Sequence, residues 1–336
     1  MTVSDIATAA FAPVMRAVQQ GSIPGAVFGV TTATGDRAVE VTGFAQTEPT
    51  HVPVLRETWF DLASLTKVIV TTPSILRLVG QGRIALDDPL TVALPDLRQY
   101  DLSAPERRLT FRECLSHQTH LPAVEPLYTY GQDQATLRAF ILQRDWQAGP
   151  PRYSDINFML LGIAIERLTG QPFDEQPLPG GLSFRPDRGE CAATERCTWR
   201  GRMLRGEVHD ENAYALGGAA GHAGLFGKID GVLDFALGLL QGTILPADAL
   251  ALVRTRQTAT RTLGWEARHD GWFGGDACSA QTLGHTGFTG TALWIDFARG
   301  LAWSLLTNRV HPSRHRDSGI QALRRIVGDT VATAWR

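Results

Sequence analysis

Lysine is nearly absent from this chain of 336 residues, in which Lys67 and Lys228 stand against thirty arginines. Other scarcities exclude whole classes of protein. Four cysteines form no dense framework, so disulfides are not implied, and Cys191 and Cys197 are more simply ordinary thiols than a disulfide or metal pair. No apolar run approaches the length of a membrane-spanning helix. A formal net charge of −2 gives no basic excess for nucleic acid.

Signatures of two common enzyme classes are also missing. There is no Gly-x-Ser-x-Gly, so an α/β-hydrolase would have no nucleophile elbow. No Gly-x-Gly-x-x-Gly follows a strand, so dinucleotide binding is unsupported. Residues 1–6 have neither a basic n-region nor an uninterrupted apolar stretch, which predicts a cytoplasmic protein that does not act at a membrane.

The hydrophobic pattern predicts strands at both ends of the chain and helices between them. Two terminal hairpins can join in one antiparallel sheet covered by terminal helices, which is an α/β fold of the α+β kind. We expect a sheet region of 1–62 plus 258–336, a mostly helical region of 63–257, and a catalytic site in the cleft between them. The predicted terminal elements are helix 4–20, strands 25–32 and 37–43, strands 291–297 and 301–307, and helix 317–335.

Ser64 and Lys67 form the first pair with evident chemistry. Residues three apart on a helix share one face, and a serine in the first turn lies at the positive end of the helix dipole. A partly desolvated lysine can accept the proton of the hydroxyl, whereas arginine, which dominates this chain, cannot. With two lysines in the chain, a chance Ser-x-x-Lys is uncommon. The alternative is a helix-capping serine followed by a surface lysine.

Two further stretches have the composition of a catalytic cleft. Tyr153, Ser154 and Asp155 precede a predicted helix, where a tyrosine can exchange a proton with a lysine, although a helix-capping turn uses the same residues. Residues 284–291 are rich in glycine and precede a strand, so their backbone N–H groups can approach a substrate. One such N–H and that of Ser64 would form an oxyanion hole. The alternative is a turn that only leads into the strand.

Together these stretches resemble the penicillin-binding protein and β-lactamase superfamily, in particular its class C β-lactamase-like serine hydrolases and esterases. That family carries Ser-x-x-Lys, then Tyr-x-Asn or a variant, then Lys-Thr-Gly or His-Thr-Gly on a strand. The resemblance covers most of the chain and implies a β-lactamase/transpeptidase-like fold. The matching residues are Ser64 and Lys67, Tyr153 to Asp155, and His285 to Gly287.

The resemblance also implies a mechanism without a metal or a cofactor. Ser64 attacks a carbonyl, Lys67 and Tyr153 take its proton and return it to the leaving group, and water hydrolyses the acyl-enzyme. Which of Lys67 and Tyr153 is the base stays open, because coupled groups titrate as a pair. The implied oxyanion and substrate-binding residues are Ser64, Asp155, His285, Thr286, Gly287 and Phe288.

Two departures from the family pattern bear on the substrate. His285 replaces the lysine common in true β-lactamases, which weakens the expectation that a fixed cation recognises a substrate carboxylate. Asp155 replaces an asparagine that would bond a β-lactam side-chain amide. Both favour a hydrolase of small esters, amides or peptides. The alternatives are a β-lactamase or D,D-peptidase, or a catalytically silent module that binds penicillin or peptidoglycan.

Other polar groups have the spacing of metal ligands. His117 and His120 fit such a site, but helix-end structural roles are the simpler interpretation. Residues 208–212 with His222 could form a second cluster, or a polar loop that lines the cleft, which we prefer.

Overall fold

The structure, a computed structural model that describes residues 1–335, is organised around an antiparallel sheet built from both ends of the chain. This confirms the predicted fold class. The strands are β1 (Gly25–Thr32), β2 (Arg37–Gln46), β3 (Val52–Pro53), β4 (Phe60–Asp61), β5 (Leu182–Ser183), β6 (Ala193–Cys197), β7 (Arg202–Arg205), β8 (Phe226–Gly227), β9 (Glu266–Ala267), β10 (Thr282–Thr286), β11 (Ala292–Asp296) and β12 (Leu301–Thr307).

Helices cover this sheet and fill the middle of the chain. They are α1 (Val3–Gln19), α2 (Thr72–Gly80), α3 (Phe111–Leu115), α4 (Gln134–Gln143), α5 (Asp155–Thr169), α6 (Glu211–Ala215), α7 (Ile229–Leu240), α8 (Ala247–Arg254) and α9 (Ile320–Ala334). No helix within residues 1–335 is both long enough and apolar enough to cross a bilayer.

The main sheet has the strand order β3-β2-β1-β12-β11-β10-β9. Its two halves meet where β1 pairs with β12, from Ala26 opposite Thr307 to Thr32 opposite Leu301. Helices α1 and α9 pack together on one face, and α7 packs against β1 and β12 on the other. Every residue of β1 is therefore buried, as expected for a strand covered on both faces.

The helix after Ser64 differs in detail from the predicted one. Ser64 lies in a turn just before the helix rather than in its first turn, and Lys67–Thr71 form a π-helical turn ahead of α2. Pro73 supplies the reason, since it has no N–H to continue the α-helical ladder. The ladder shifts by one residue, so the Thr72 N–H donates to the Lys67 carbonyl.

The middle of the chain contains strands that the sequence pattern did not predict. Strand β5 pairs with β8, and the β6–β7 hairpin follows it in the chain. Both are short or irregular, so the alternation that marks a strand is weak there. The division into 1–62 plus 258–336 and 63–257 stays a prediction.

Candidate active site

A sharp turn holds Ser64 at the floor of the cleft. The preceding residue, Ala63, has a left-handed backbone with φ of 47°, an uncommon conformation for a residue with a side chain. The Ala63 N–H donates to Asp61 Oδ1 at 2.8 Å, and the His209 N–H donates to Asp61 Oδ2 at 2.6 Å. Burial raises the pKa of Asp61. This buried carboxyl fixes the turn that presents the serine.

Lys67 is completely buried and lies against the serine. Its Nζ donates to Ser64 Oγ at 2.9 Å and to the His222 carbonyl at 3.1 Å, and it forms an ion pair with Asp155 Oδ1 at 2.8 Å. Burial alone would lower the pKa of Lys67, but the charges and hydrogen bonds of Asp155 and Tyr153 outweigh it and raise that pKa. The alternative of a surface lysine is therefore wrong.

A glycine brings the His222 carbonyl to Lys67. A Cβ at Gly221 would lie 2.0 Å from the Phe158 carbonyl oxygen, so only glycine allows this loop to press against α5. Thr71 Oγ1 donates to the Gly221 carbonyl at 2.6 Å and ties the loop to the π-helical turn. The Lys67 ammonium thereby finds acceptors from α5 and from this loop, as a buried charge requires.

Tyr153 lies between two buried imidazoles at the side of the same lysine. Its ring centroid is 5.0 Å from Lys67 Nζ, 4.4 Å from the His117 ring and 6.0 Å from the His285 ring. Burial lowers the pKa of His117 and that of His285 well below the usual value, helped by nearby cations. Both rings are therefore neutral at pH 7 and leave the positive charge beside Tyr153 to other groups.

Three hydrogen bonds fix the segment that carries Tyr153. The Ser154 N–H donates to His117 Nδ1 at 3.1 Å, and Ser154 Oγ donates to the Pro122 carbonyl at 2.6 Å. The Asp155 N–H donates to the Ala123 carbonyl at 2.9 Å. Ser154 occupies the N-cap position of α5, as the capping alternative expected, but neither side chain makes a capping hydrogen bond, and Asp155 faces Lys67.

The turn 287–291 is attached to the backbone just before Ser64. Thr289 Oγ1 donates to the Asp61 carbonyl at 2.6 Å, and Thr291 Oγ1 donates to the Leu62 carbonyl at 3.0 Å. A Cβ at Gly287 would lie 2.5 Å from the Leu62 oxygen and 2.2 Å from Thr291 Oγ1, so the approach depends on glycine.

Two backbone donors are available at this junction. Among the hydrogen bonds of residues 1–335, none uses the backbone N–H of Ser64 or of Phe288. The carbonyls of the turn point elsewhere, because buried Arg324 donates to Gly287 O at 2.9 Å and to Thr291 O at 2.7 Å. Burial lowers the pKa of Arg324 to about 9. A pair of free N–H groups beside a nucleophile is the composition of an oxyanion hole.

These residues line a cleft of about 630 Å³, a size typical of small-molecule sites. The cleft holds Ser64, Tyr153, Asp155, His285, Thr286 and Phe288 of the sequence-predicted set. Lys67 and Gly287 do not line the cleft themselves, although Lys67 contacts Ser64 and Gly287 stands between the lining residues Thr286 and Phe288. The remaining lining residues are Ala63, Val124, His209, Asp210, Glu211, Ala223, Arg261, Glu266, Phe273 and Arg314.

The polar groups with metal-like spacing have other partners. His120 Nε2 lies 3.5 Å from Glu106 Oε1. His222 Nε2 lies 2.9 Å from Asp210 Oδ1. Burial would raise the pKa of Asp210, but the charge and hydrogen bond of His222 lower it instead. No group of three or more candidate ligands within residues 1–335 could hold a metal ion. The segment 208–212 supplies cleft-lining residues, as the preferred alternative expected.

Sequence reasoning missed the groups that position the site. The fold brings the His222 carbonyl to Lys67 and the Arg324 guanidinium to the Gly287 carbonyl. The Asp61 carboxyl holds the turn before Ser64 by accepting from the N–H groups of Ala63 and His209. From the sequence, His117 was considered as a metal ligand and, more simply, as a helix-end residue. Its left-handed backbone, with φ of 56°, fits the turn that ends α3, but no sequence signal placed its ring against Tyr153.

Known proteins share this fold and sequence pattern. A family model described as Beta-lactamase matches residues 9–327. An N-acetylmuramyl-L-alanine amidase of Bacillus subtilis (strain 168) is 34% identical over 309 residues, covering 76% of this chain and 68% of that protein. A putative D-alanyl-D-alanine carboxypeptidase of Escherichia coli (strain K12) is 30% identical over 305 residues, covering 76% and 70%.

A solved structure gives the same result for the fold. The class C beta lactamase from Rhodobacter sphaeroides superposes with a TM-score of 0.72 and 21% identity, over 96% of this chain and 99% of that one. The resemblance read from the three motifs is thereby confirmed. The chain is a serine hydrolase that belongs to the beta-lactamase family.

Proposed function

We propose that the protein hydrolyses small amides, peptides or esters through an acyl-enzyme on Ser64. The observation that carries this proposal is the 2.9 Å contact between Lys67 Nζ and Ser64 Oγ at the floor of the cleft. A serine beside a completely buried lysine is an activated nucleophile. A module that only bound ligands would need neither the buried ion pair of Lys67 with Asp155 nor the free N–H groups.

The chemistry assigns one role to each group. Ser64 Oγ forms a bond to the substrate carbonyl carbon while its proton passes to the coupled pair of Lys67 and Tyr153. The oxygen that becomes negative is stabilised by the N–H groups of Ser64 and Phe288. The bond to the leaving group then breaks, and the pair returns the proton to that group. A water molecule then attacks the acyl-enzyme through the same steps, which releases the acid and restores the Ser64 hydroxyl.

The relatives support amides as the natural substrates. The two named above are called an amidase and a carboxypeptidase, and both names denote cleavage of an amide bond. We therefore propose small amides and peptides of the peptidoglycan type, with simple esters as more reactive surrogates. The proposal includes carboxylesterase activity, in the sense that the enzyme hydrolyses such simple esters.

The proposal is tested by intact-protein mass spectrometry after exposure to a fluorophosphonate and to a penicillin. We expect one covalent adduct with at least one of them, and none in Ser64→Ala. Ser103→Ala, at an exposed serine hydrogen-bonded to Asp101, serves as the matched control and should be labelled like the unmodified protein. A panel of esters, cephalosporins and D-amino-acid peptides then ranks the substrates. A folded protein that no acylating probe modifies would support the silent binding module instead.

The Asp155 carboxylate makes the reaction depend on pH in a predictable direction. Because it raises the pKa of Lys67, the base pair loses its proton, and activity rises, only at higher pH. Asp155→Asn removes that charge while keeping the shape, so the ascending limb of the kcat/KM profile should shift down by about 1–3 pH units. Measurement of kcat/KM for p-nitrophenyl acetate across about pH 7–12, with the uncatalysed hydrolysis subtracted, checks the shift, because the span must extend above the ordinary pKa of a lysine. An unchanged or higher midpoint would contradict the role given to the ion pair.

A further inference from the structure

Three aromatic side chains lie together beside the stretch 209–211, which lines one wall of the cleft. The Trp199 ring centroid is 4.9 Å from that of Tyr128 and 5.8 Å from that of Tyr214. Trp199 is 45% exposed, Tyr214 is 37% exposed and Tyr128 is half-buried. We call these three rings the aromatic platform. Exposed patches of large apolar side chains commonly mark binding sites, and the proposed mechanism gives these rings no role.

The buried side chain of Arg200 fixes the platform to the cleft wall. Its guanidinium carbon lies 4.1 Å from the Tyr214 ring centroid and 5.6 Å from that of Trp199. The same guanidinium donates to the carbonyls of His209 and Asp210 at 3.1 and 3.3 Å. Both of those residues line the cleft. One buried cation therefore supports the platform and the wall from the inside of the fold.

The platform continues this wall outward from the reaction centre. The His209 ring stacks on that of Phe288, with centroids 5.7 Å apart. Glu211 lines the cleft, and Tyr214 follows it by three residues on α6, so the two side chains are neighbours on the helix surface. The wall thus runs from the proposed oxyanion donor to Trp199 in the turn of the β6–β7 hairpin.

Two carboxylates of the wall each keep one oxygen free. Asp210 Oδ1 accepts from the Ala213 N–H at 2.8 Å and lies 2.9 Å from His222 Nε2. Glu211 Oε1 accepts from the Arg314 guanidinium. No hydrogen bond within residues 1–335 uses Asp210 Oδ2 or Glu211 Oε2, although the two side chains are 32% and 17% exposed. Carboxylate oxygens form strong hydrogen bonds to any donor that reaches them.

The direction of proton transfer decides which part of the substrate meets this wall. Lys67 and Tyr153 return the proton to the leaving group, so the leaving group lies against Tyr153. Tyr153 packs with the rings of His117 and His285, which belong to a different wall of the cleft. The acyl part of the substrate therefore extends along the stretch 209–211 toward the aromatic platform.

The chemistry of the wall excludes three kinds of acyl group. An apolar chain would cover the free carboxylate oxygens without giving them a partner. An anionic group would be repelled by the same carboxylates. A cationic group would be repelled from the rings of Trp199 and Tyr214, because Arg200 already places a positive charge against both. A neutral sugar ring fits, since its C–H face stacks on aromatic rings and its hydroxyls donate to carboxylates.

We propose that the acyl part of the substrate carries a sugar ring, which stacks on the aromatic platform and donates hydroxyl hydrogen bonds to Asp210 Oδ2 and Glu211 Oε2. The proposal rests on the proposed function, because the roles of Lys67 and Tyr153 decide which wall takes the acyl part. It makes the platform and the two carboxylates the groups that determine acyl specificity, and none of them moves a proton in the reaction.

Two esters with the same leaving group test the proposal. p-Nitrophenyl (β-D-glucopyranosyloxy)acetate and p-nitrophenyl cyclohexyloxyacetate differ only in the polar groups of the six-membered ring. We expect kcat/KM to be higher for the sugar ester, by about tenfold or more. Glu211→Gln should raise its KM about ten- to hundredfold, as for loss of a charged hydrogen bond. Trp199→Ala should raise it about two- to tenfold.

The variants and their controls separate the sugar contacts from general damage. Both constants for the cyclohexyl ester, and kcat for the sugar ester, should stay within about twofold in each variant, since the lost contacts bind ground state and transition state alike. Trp199→Phe should restore part of the loss. Tyr100→Ala, at an aromatic residue that is 91% exposed and outside the cleft, should change neither ester.

A binding measurement without turnover distinguishes this proposal from the proposed function. (β-D-Glucopyranosyloxy)acetate should slow the labelling of Ser64 by a fluorophosphonate more than cyclohexyloxyacetate does, and Trp199→Ala should reduce the difference. Equal losses for both esters, or a higher kcat/KM for the cyclohexyl ester, would overturn the sugar site and leave acylation of Ser64 intact. Faster hydrolysis of p-nitrophenyl (piperidin-4-yloxy)acetate, whose ring is cationic, would overturn it as well. Absence of any labelling would refute the proposed function instead.

Discussion

Replacing Lys67 with alanine is expected to reduce kcat for p-nitrophenyl acetate by about 10³-fold or more, the scale of losing a positioned acid–base group. The variant removes the only side chain that contacts Ser64 Oγ in a described hydrogen bond within residues 1–335. The serine hydroxyl then keeps its ordinary, weakly nucleophilic state. Steady-state kinetics give kcat, and the rate of fluorophosphonate labelling gives an independent measure of the nucleophile.

Loss of folding must be separated from this loss of chemistry. Lys67 and the partly buried Asp155 form an ion pair, and removing one partner of a buried pair typically costs about 3–5 kcal/mol of stability. Lys67→Met with Asp155→Asn removes both charges at once and should recover much of the melting temperature without recovering kcat. A double variant with normal kcat would contradict the assignment of Lys67.

Two further variants define what the lysine supplies. Lys67→Arg keeps the charge but cannot release a proton in a protein, so kcat should stay low if Lys67 takes part as a base. Lys228→Ala is the matched control, because this other lysine is half-exposed, pairs with Glu190 at 3.3 Å and stacks on Trp59. Its removal should leave kcat unchanged. A fully active Lys67→Arg variant would show that only the positive charge is needed.

The Ser64 and Lys67 pair could be read from the sequence because its geometry is local. Side chains three residues apart meet on any helical turn, and the contact survives even though the turn is π-helical rather than α-helical. The same holds for the terminal hairpin of β11 and β12, whose turn is short and whose strands are apolar. Local periodicity decides such features before tertiary packing acts.

The charge state of the site could not be predicted in this way. The sequence indicated Asp155 as a substrate-binding residue, but its ion pair with Lys67 depends on the fold, as does the neutral state of His285. From the sequence, His285 in place of the family's lysine only weakened the expectation that a fixed cation recognises a substrate carboxylate.

The turn 287–291, which carries the proposed oxyanion donor, was only partly predictable from the sequence. Its glycines and its place before a strand were evident, and its attachment to Asp61 and Leu62 was not. Buried Arg324, from α9, holds two carbonyls of the turn from the other side. The proposed donor at Phe288 is therefore positioned by both ends of the chain, which meet only when the main sheet forms.

Gly287→Ala is expected to reduce kcat by about 10²- to 10³-fold, the effect of losing one oxyanion-hole donor. The added Cβ would lie 2.2 Å from Thr291 Oγ1 and 2.5 Å from the Leu62 oxygen. Real Cβ atoms do not approach that closely, so the turn must move away from the backbone that precedes Ser64. The Phe288 N–H then leaves the position where the oxyanion develops, while Ser64 and Lys67 keep their contact.

This displacement has a signature that general damage lacks. Because the donor acts mainly on the transition state, kcat should fall with little change in KM, and the protein should remain folded by circular dichroism. Gly80→Ala is the matched control, since a Cβ there meets nothing within 4 Å and alanine favours the end of α2. A Gly287→Ala variant with normal kcat would mean that the oxyanion is stabilised without the Phe288 N–H. Equal losses in both glycine variants would point to destabilisation rather than to the oxyanion hole.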